Sequence, residues 1–211
     1  ATIPNCKAWD PAFAGELAVI LDQGMREMLV EQQDVFYYIT LMNENYAQPD
    51  LLAGVEQDVI RGCYKIKVAA THRKQRQRVT LMGSGAILTE VMKAAEQLAA
   101  QGIDSDVYSV TSWSELARQG QACEAAALAG AAQVDTPFIT EQLSVGHGPI
   151  IAATDYVRAV PESIRAFVPA GRSYTTLGTD GFGRSDTRSQ LRQFFQVDAA
   201  SVAAAALRRL G

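Results

Sequence analysis

Residues 78–102 read RVTLMGSGAILTEVMKAAEQLAAQG, and this stretch decides the fold class. Arg78–Met82 is a short β-branched and apolar run, as a buried strand requires. Gly83-Ser84-Gly85 is a turn, and Thr89–Gln101 has apolar residues at helical spacing closed by Gly102. A strand, a glycine turn and a helix in that order begin a β-α-β unit. Working forward, Asp106–Thr111 reads as a strand and Ser114–Leu128 as an alanine-rich helix. Ile150–Thr154 is a strand, Tyr156–Phe167 a helix and Tyr174–Leu177 another strand. Asp198 caps a last helix ending near Leu210. The alternation predicts an α/β fold with a mainly parallel sheet and helices on both faces.

Upstream lies a second, incomplete alternation. Ile3–Trp9 reads as a strand, and Asp10-Pro11 as helix N-cap and first helical residue. Phe13, Leu17, Ile20, Leu21, Met28 and Leu29 carry that helix to about Leu29. Val35–Leu41 has no helical period and reads as a buried strand ending in Asn43-Glu44-Asn45. Gln48-Pro49-Asp50 is a turn, and Val55, Val59, Ile60, Cys63 and Tyr64 form the apolar face of a further helix. The expected division is therefore a first piece over residues 1–70, a basic linker over 71–78 and a main domain over 79–211.

The 211 residues are 48% hydrophobic and 20% charged, a globular composition. No apolar run approaches the roughly 20 residues of a membrane helix, and no secretory signal opens the chain. The first residue is not Met, which suits a processed chain or a fragment. Cys6, Cys63 and Cys123 are odd in number and far apart, against disulfides or a zinc site. A net charge of −4 gives no general attraction to nucleic acid. Arg61, Lys65, Lys67, Arg73, Lys74, Arg76 and Arg78 nevertheless follow one another without an acid. They read as a solvated linker or as a dock for an acidic or phosphorylated partner.

Several motifs invite chemistry. Gly83-Ser84-Gly85 with Asp104 and Asp106 downstream suggests a dinucleotide turn, but Leu88 stands where the third glycine belongs. A tight strand–helix turn is the better reading. Gly178-Thr179-Asp180-Gly181 superficially resembles a magnesium–diphosphate loop. That chemistry needs a further oxygen ligand from a downstream asparagine, and the only asparagines are Asn5, Asn43 and Asn45. Asp180, Gly181, Phe182, Gly183, Arg184 and Asp186 are thus expected to form a buried structural turn, and no metal site is encoded. His72 and His147 lack triad partners, and no nucleophile elbow exists. Asn43, Glu44, Asn45 and Tyr46 follow a strand, where α/β sheets hold ligands.

VFYYITLMNENY (35–46), IPNC (3–6) and DPAFAGELAVI (10–20) resemble the homodimeric pyruvate dehydrogenase decarboxylating components. LMGSGAIL (81–88), SDVYSVTSWSELARQGQ (105–121), ATDYVRA (153–159) and LGTDGFGRSDTRSQLRQFFQVDAASV (177–202) resemble the same family in the same order. The resemblance implies the carboxyl-terminal portion of a thiamine-diphosphate-dependent 2-oxo acid dehydrogenase, in the transketolase-like superfamily. Its expected fold is a transketolase carboxyl-terminal-like domain preceded by the truncated end of a pyrimidine-binding α/β domain. The parent enzyme would be a cytoplasmic oxidoreductase of glycolytic pyruvate metabolism, binding thiamine diphosphate and Mg²⁺ at a homodimer interface. It would decarboxylate the oxo acid and acylate lipoyl groups of the acyltransferase core. This chain would be scaffold and dimer packing, inactive alone and binding neither cofactor by itself.

By the same resemblance, Asn43, Glu44, Asn45, Tyr46 and Ala47 border the active-site entrance. Ala47 stands where the family has histidine, so substrate positioning, or the oxo acid itself, is expected to differ. Two other readings are a docking module on 61–78 and transketolase-type two-carbon transfer.

Overall fold

The computed structural model describes residues 3–66 and 77–211. Its main body is a five-stranded sheet grown from the glycine-turn unit. The strands are β3 (Cys63–Ile66), β4 (Arg78–Gly83), β5 (Asp104–Val110), β6 (Ile150–Ala153) and β7 (Tyr174–Leu177). They lie in the order β3-β5-β4-β6-β7, all pairs parallel except antiparallel β3–β5. The central strands are apolar along their length because helices cover both faces. On one face, α3 (Ile87–Ala100) and α8 (Ala199–Leu210) pack Leu88, Val91, Leu98, Val202 and Ala206 against Val79, Leu81 and Ile151. On the other, α4 (Trp113–Leu128) and α5 (Phe138–Ser144) bury Trp113, Leu116, Phe138 and Leu143 against Met82, Tyr108 and Ile150. The α/β expectation with a mainly parallel sheet is met.

A two-stranded parallel sheet, β1 (Cys6–Trp9) with β2 (Phe36–Ile39), precedes it. Between its strands runs α1 (Ala14–Met25), extended by a π turn over Arg26–Val30. Helix α2 (Glu56–Arg61) then leads into β3.

Five expectations need correction. Cys63 and Tyr64 do not extend a helical face. Gly62, at φ +103°, ends α2, and the chain turns into an edge strand beside β5. Asp10 does not cap α1, which starts after Phe13, and the Glu16 carboxylate accepts from the Ala12 and Phe13 amides at 2.6 and 3.0 Å. Strand β2 is not buried: Tyr37 turns inward, while Phe36 and Tyr38 on the opposite face are 44% and 59% exposed. Strand β5 starts at Asp104, two residues ahead of the expected Asp106, and ends at Val110. The 156–167 helix shrinks to α6 (Ala159–Glu162) and a 3-10 turn over Arg165–Phe167. Helices α5 and α7 (Arg188–Phe194) were not foreseen from apolar periodicity.

Candidate functional site

In this sheet the chain leaves β4 toward β5 on one side and later returns to β6 on the other. The crevice beyond the carboxyl ends of β4 and β6 is thus the topological switch point, where such folds bind ligands. Here the protein fills it with its own residues. Ser84 and Thr154 hydroxyls meet at 3.0 Å, and the Gly85 amide donates to the Asp10 carbonyl at 3.0 Å. A Cβ on Gly85 would stand 2.6 Å from Asp10 Oδ1, so the glycine serves this close approach. Thr40 donates to Asp10 Oδ1 at 2.9 Å and accepts from the Tyr156 hydroxyl at 2.7 Å. Burial, only partly offset by hydrogen bonds from Ser84 and Thr40, pushes the Asp10 carboxyl up to about 6. The glycine turn packs protein against protein, which leaves no room for a dinucleotide phosphate.

One strand further along, a pocket of about 420 Å³ opens beyond the ends of β6 and β7. It gathers the two motifs that stand far apart in the sequence. Met42, immediately before the Asn43–Tyr46 segment, lines it with Gly183 and Arg184 of the glycine loop. Arg188 and Arg192 complete its charged wall. Arg188 donates to the Asn43 carbonyl. Glu44 accepts from Arg192 at 2.5 and 3.2 Å, and Arg192 also reaches Glu90 at 3.5 Å. Glu90 takes Lys93 at 2.8 Å and the Ala199 amide at 3.1 Å. Burial alone would raise the Glu90 carboxyl, but these donors hold it below its ordinary range. Asp155, in the wall, is raised by burial, with Arg192 acting against the rise.

Of the five residues expected at an active-site entrance, Asn43 and Glu44 join this network. Tyr46 turns inward, donating to the Ala12 carbonyl at 2.5 Å and packing edge-on to Phe13, while Asn45 and Ala47 lie at the surface.

The glycine loop is not buried as expected. Phe182 is 95% exposed, and all residues from Asp180 to Asp186 face solvent. Asp180 accepts from the Arg158 amide at 2.8 Å and its Nε at 2.6 Å, which keeps its carboxyl low. Arg184 lies 3.9 Å over the Phe194 ring, and Asp186 accepts from the Thr187 amide at 2.7 Å. A magnesium–diphosphate group does not fit here: Asp180 is engaged by a guanidinium, and no asparagine follows it in the sequence. Among the described residues, no group of three acids, histidines or cysteines is placed to hold a metal.

In the basic stretch, Arg61 sits 3.7 Å over the Phe138 ring and Lys65 pairs with Asp106. Lys67, His72, Arg73, Lys74 and Arg76 lie outside the described residues. His147 is in an exposed turn. No helix among the described residues is long and apolar enough to cross a membrane.

The residues that composition and motifs missed are Glu16, Glu90, Asp155, Arg188 and Arg192. One signal was present: Arg184, Arg188 and Arg192 recur every four residues, the spacing of one helix face.

The profile of the transketolase-like TK C-terminal domain matches residues 62–198, and that of the pyruvate dehydrogenase E1 component middle domain matches residues 1–49. The pyruvate dehydrogenase E1 component of Cupriavidus necator is 48% identical over 214 residues, all of this chain and 23% of that protein. That of Pseudomonas aeruginosa is 47% identical over 212 residues, all of this chain and 24% of that protein. A Pichia stipitis transketolase solved with xylulose 5-phosphate superposes with a TM-score of 0.61 at 17% identity, over 99% of this chain and 26% of its own, a likeness of fold alone. The chain spans about a quarter of the length of the curated relatives it matches.

Proposed function

From the premise that this chain belongs to the transketolase-like family, and matches the carboxyl-terminal portion of pyruvate dehydrogenase E1 components, we propose that it works as part of a thiamine-diphosphate-dependent 2-oxo acid dehydrogenase. The observation that carries this reading is the 48% identity sustained over the whole chain. The parent enzyme would be a cytoplasmic homodimer with thiamine diphosphate and Mg²⁺, decarboxylating pyruvate and acylating lipoyl groups of its acyltransferase. When bound, the thiazolium of the cofactor supplies the electron sink for decarboxylation. This chain's residues do other work. Arg192 clamps Glu44 and Glu90 together, so the Asn43–Ala47 loop is held against α7 beside the proposed active-site entrance. Ala47 can neither donate nor accept with its side chain. The oxo acid would therefore be positioned by neighbours, or be bulkier than pyruvate.

In this reading the chain contributes scaffold and dimer packing. We read the domain division at Gly62, ahead of β3; the pairing of that strand with β5 of the second unit supports this reading. The test is calorimetric titration of thiamine diphosphate with Mg²⁺ into the 211-residue chain, alongside pyruvate decarboxylation by the full-length subunit. Activity is expected only in the latter. Micromolar cofactor binding by the shorter chain, or no oxo-acid decarboxylation by the longer one, overturns the proposal.

A further inference from the structure

The arginine-walled pocket has a charge balance that its internal ion pairs do not close. Arg192 is engaged by Glu44 and Glu90, and Glu90 also takes Lys93. Arg188 contributes one donor to the Asn43 carbonyl, and its Nε stands 4.0 Å from Glu44, so most of its fork faces outward. Arg184 rests on the Phe194 ring and has no carboxylate partner among the described residues. Counting Arg184, Arg188, Arg192 and Lys93 against Glu44, Glu90 and Asp155 leaves one positive charge. A guanidinium fork is built for paired oxygens, as in a carboxylate. The rest of the lining includes apolar side chains, Met42, Leu191, Phe195 and Val197. At about 420 Å³ the pocket is in the range of small-molecule sites.

We propose that this pocket binds a small amphiphilic monoanion, a carboxylate on a short acyl chain. Its head meets Arg184 and Arg188, and its chain lies on Met42, Leu191 and Phe195. The net charge favours a monoanion over a phosphate dianion, which would leave the pocket negative and the apolar lining unused. The inference depends only on this chain's residues and stands apart from the decarboxylation reading.

Calorimetric titration at pH 7 into the 211-residue chain tests it, with hexanoate, acetate and inorganic phosphate as probes. Hexanoate is expected to saturate with a dissociation constant of about 1 mM or lower. Acetate should bind several-fold more weakly, because it leaves the apolar lining uncovered. Replacing Arg184 and Arg188 together by Ala should weaken hexanoate about tenfold, the loss expected of charge-assisted hydrogen bonds. Both side chains lie in the exposed segment, so circular dichroism of the double variant should match the parent. A second variant, Met42→Asp, should weaken hexanoate more than acetate. The proposal falls if hexanoate does not saturate, if the double arginine variant binds it equally well, or if phosphate binds more tightly than hexanoate.

Discussion

Two carboxylates at the start of the chain illustrate how differently one residue type can be used. Glu16 is fully buried and accepts from four donors: the Ala12 and Phe13 amides, Tyr64 at 2.8 Å and Ser109 at 2.5 Å. It joins the start of α1 to β3 and β5. Glu16→Ala strands these donors in the interior and should cost about 3 kcal/mol, measured as a shift of the urea midpoint. A loss under about 1 kcal/mol would show that water replaces the carboxylate. Asp10 faces Asp155 and Glu16 as well as its hydroxyl partners, and its carboxyl sits near 6 in the folded state. The unfolded chain holds that proton only up to about pH 4. Folding therefore gains from the proton below pH 4 and loses that gain as pH rises through 6, on the order of 3 kcal/mol. Asp10→Asn, neutral throughout, should gain on the parent between pH 4 and 6.5 and then run parallel to it. Equal differences at pH 4 and pH 7 would refute the assignment. Neither role was legible beforehand. Asp before Pro is a strong local signal for a helix cap, and it gave way to a contact with Gly85, distant in sequence.

Among the elements, the long apolar ones were legible and the short polar ones were not. Strands β4 and β6 and helices α3 and α8 are buried on wide faces, so their periodicity survives in the sequence. Helix α7 has a charged inner face built on Arg192, and an apolar pattern cannot register it. Strand β3 was hidden for another reason: Val59, Cys63 and Tyr64 fall at helical spacing across a helix end. Only Gly62 marks the break. Its φ is +103°, and a Cβ there would stand 2.7 Å from the Ser112 carbonyl oxygen, which leaves no space for any other residue. The Gly62 carbonyl in turn accepts from the Thr111 and Ser112 amides at 2.9 and 3.1 Å. Gly62→Ala should therefore lower stability by about 2 kcal/mol or more, combining left-handed strain with a backbone clash. Thermal denaturation of the variant measures this, and a Tm within a degree of the parent would mean that β3 detaches at little cost.

For the molecule as a whole, the question is whether the first 62 residues and the main sheet stand or fall together. The first segment is held to the main body by apolar packing as well as by polar ties: Ala12 and Phe13 join the core around Val79 and Leu88, and Trp9 and Ile20 pack with Tyr64 of β3. The Asp10 amide donates to the Thr111 carbonyl at 2.8 Å, and Ser112 donates to the Ala8 carbonyl at 2.6 Å. Arg118 donates to the Pro4 and Cys6 carbonyls at 2.5 and 2.7 Å. On the far side, Tyr156 reaches Thr40, and Arg192 reaches Glu44. These ties cross at three separate places, and most are at least partly buried, so opening them strands polar groups without their partners. One cooperative transition is the expected consequence. The two tryptophans suit the test, since Trp9 lies in β1 and Trp113 opens α4 on the main sheet. Urea unfolding followed by the fluorescence of Trp9→Phe and Trp113→Phe variants should give midpoints that coincide with each other and with far-ultraviolet circular dichroism. If the Trp9 signal is lost at clearly lower urea, the first segment melts on its own, and neither the polar ties nor the shared apolar packing couple it to the main sheet.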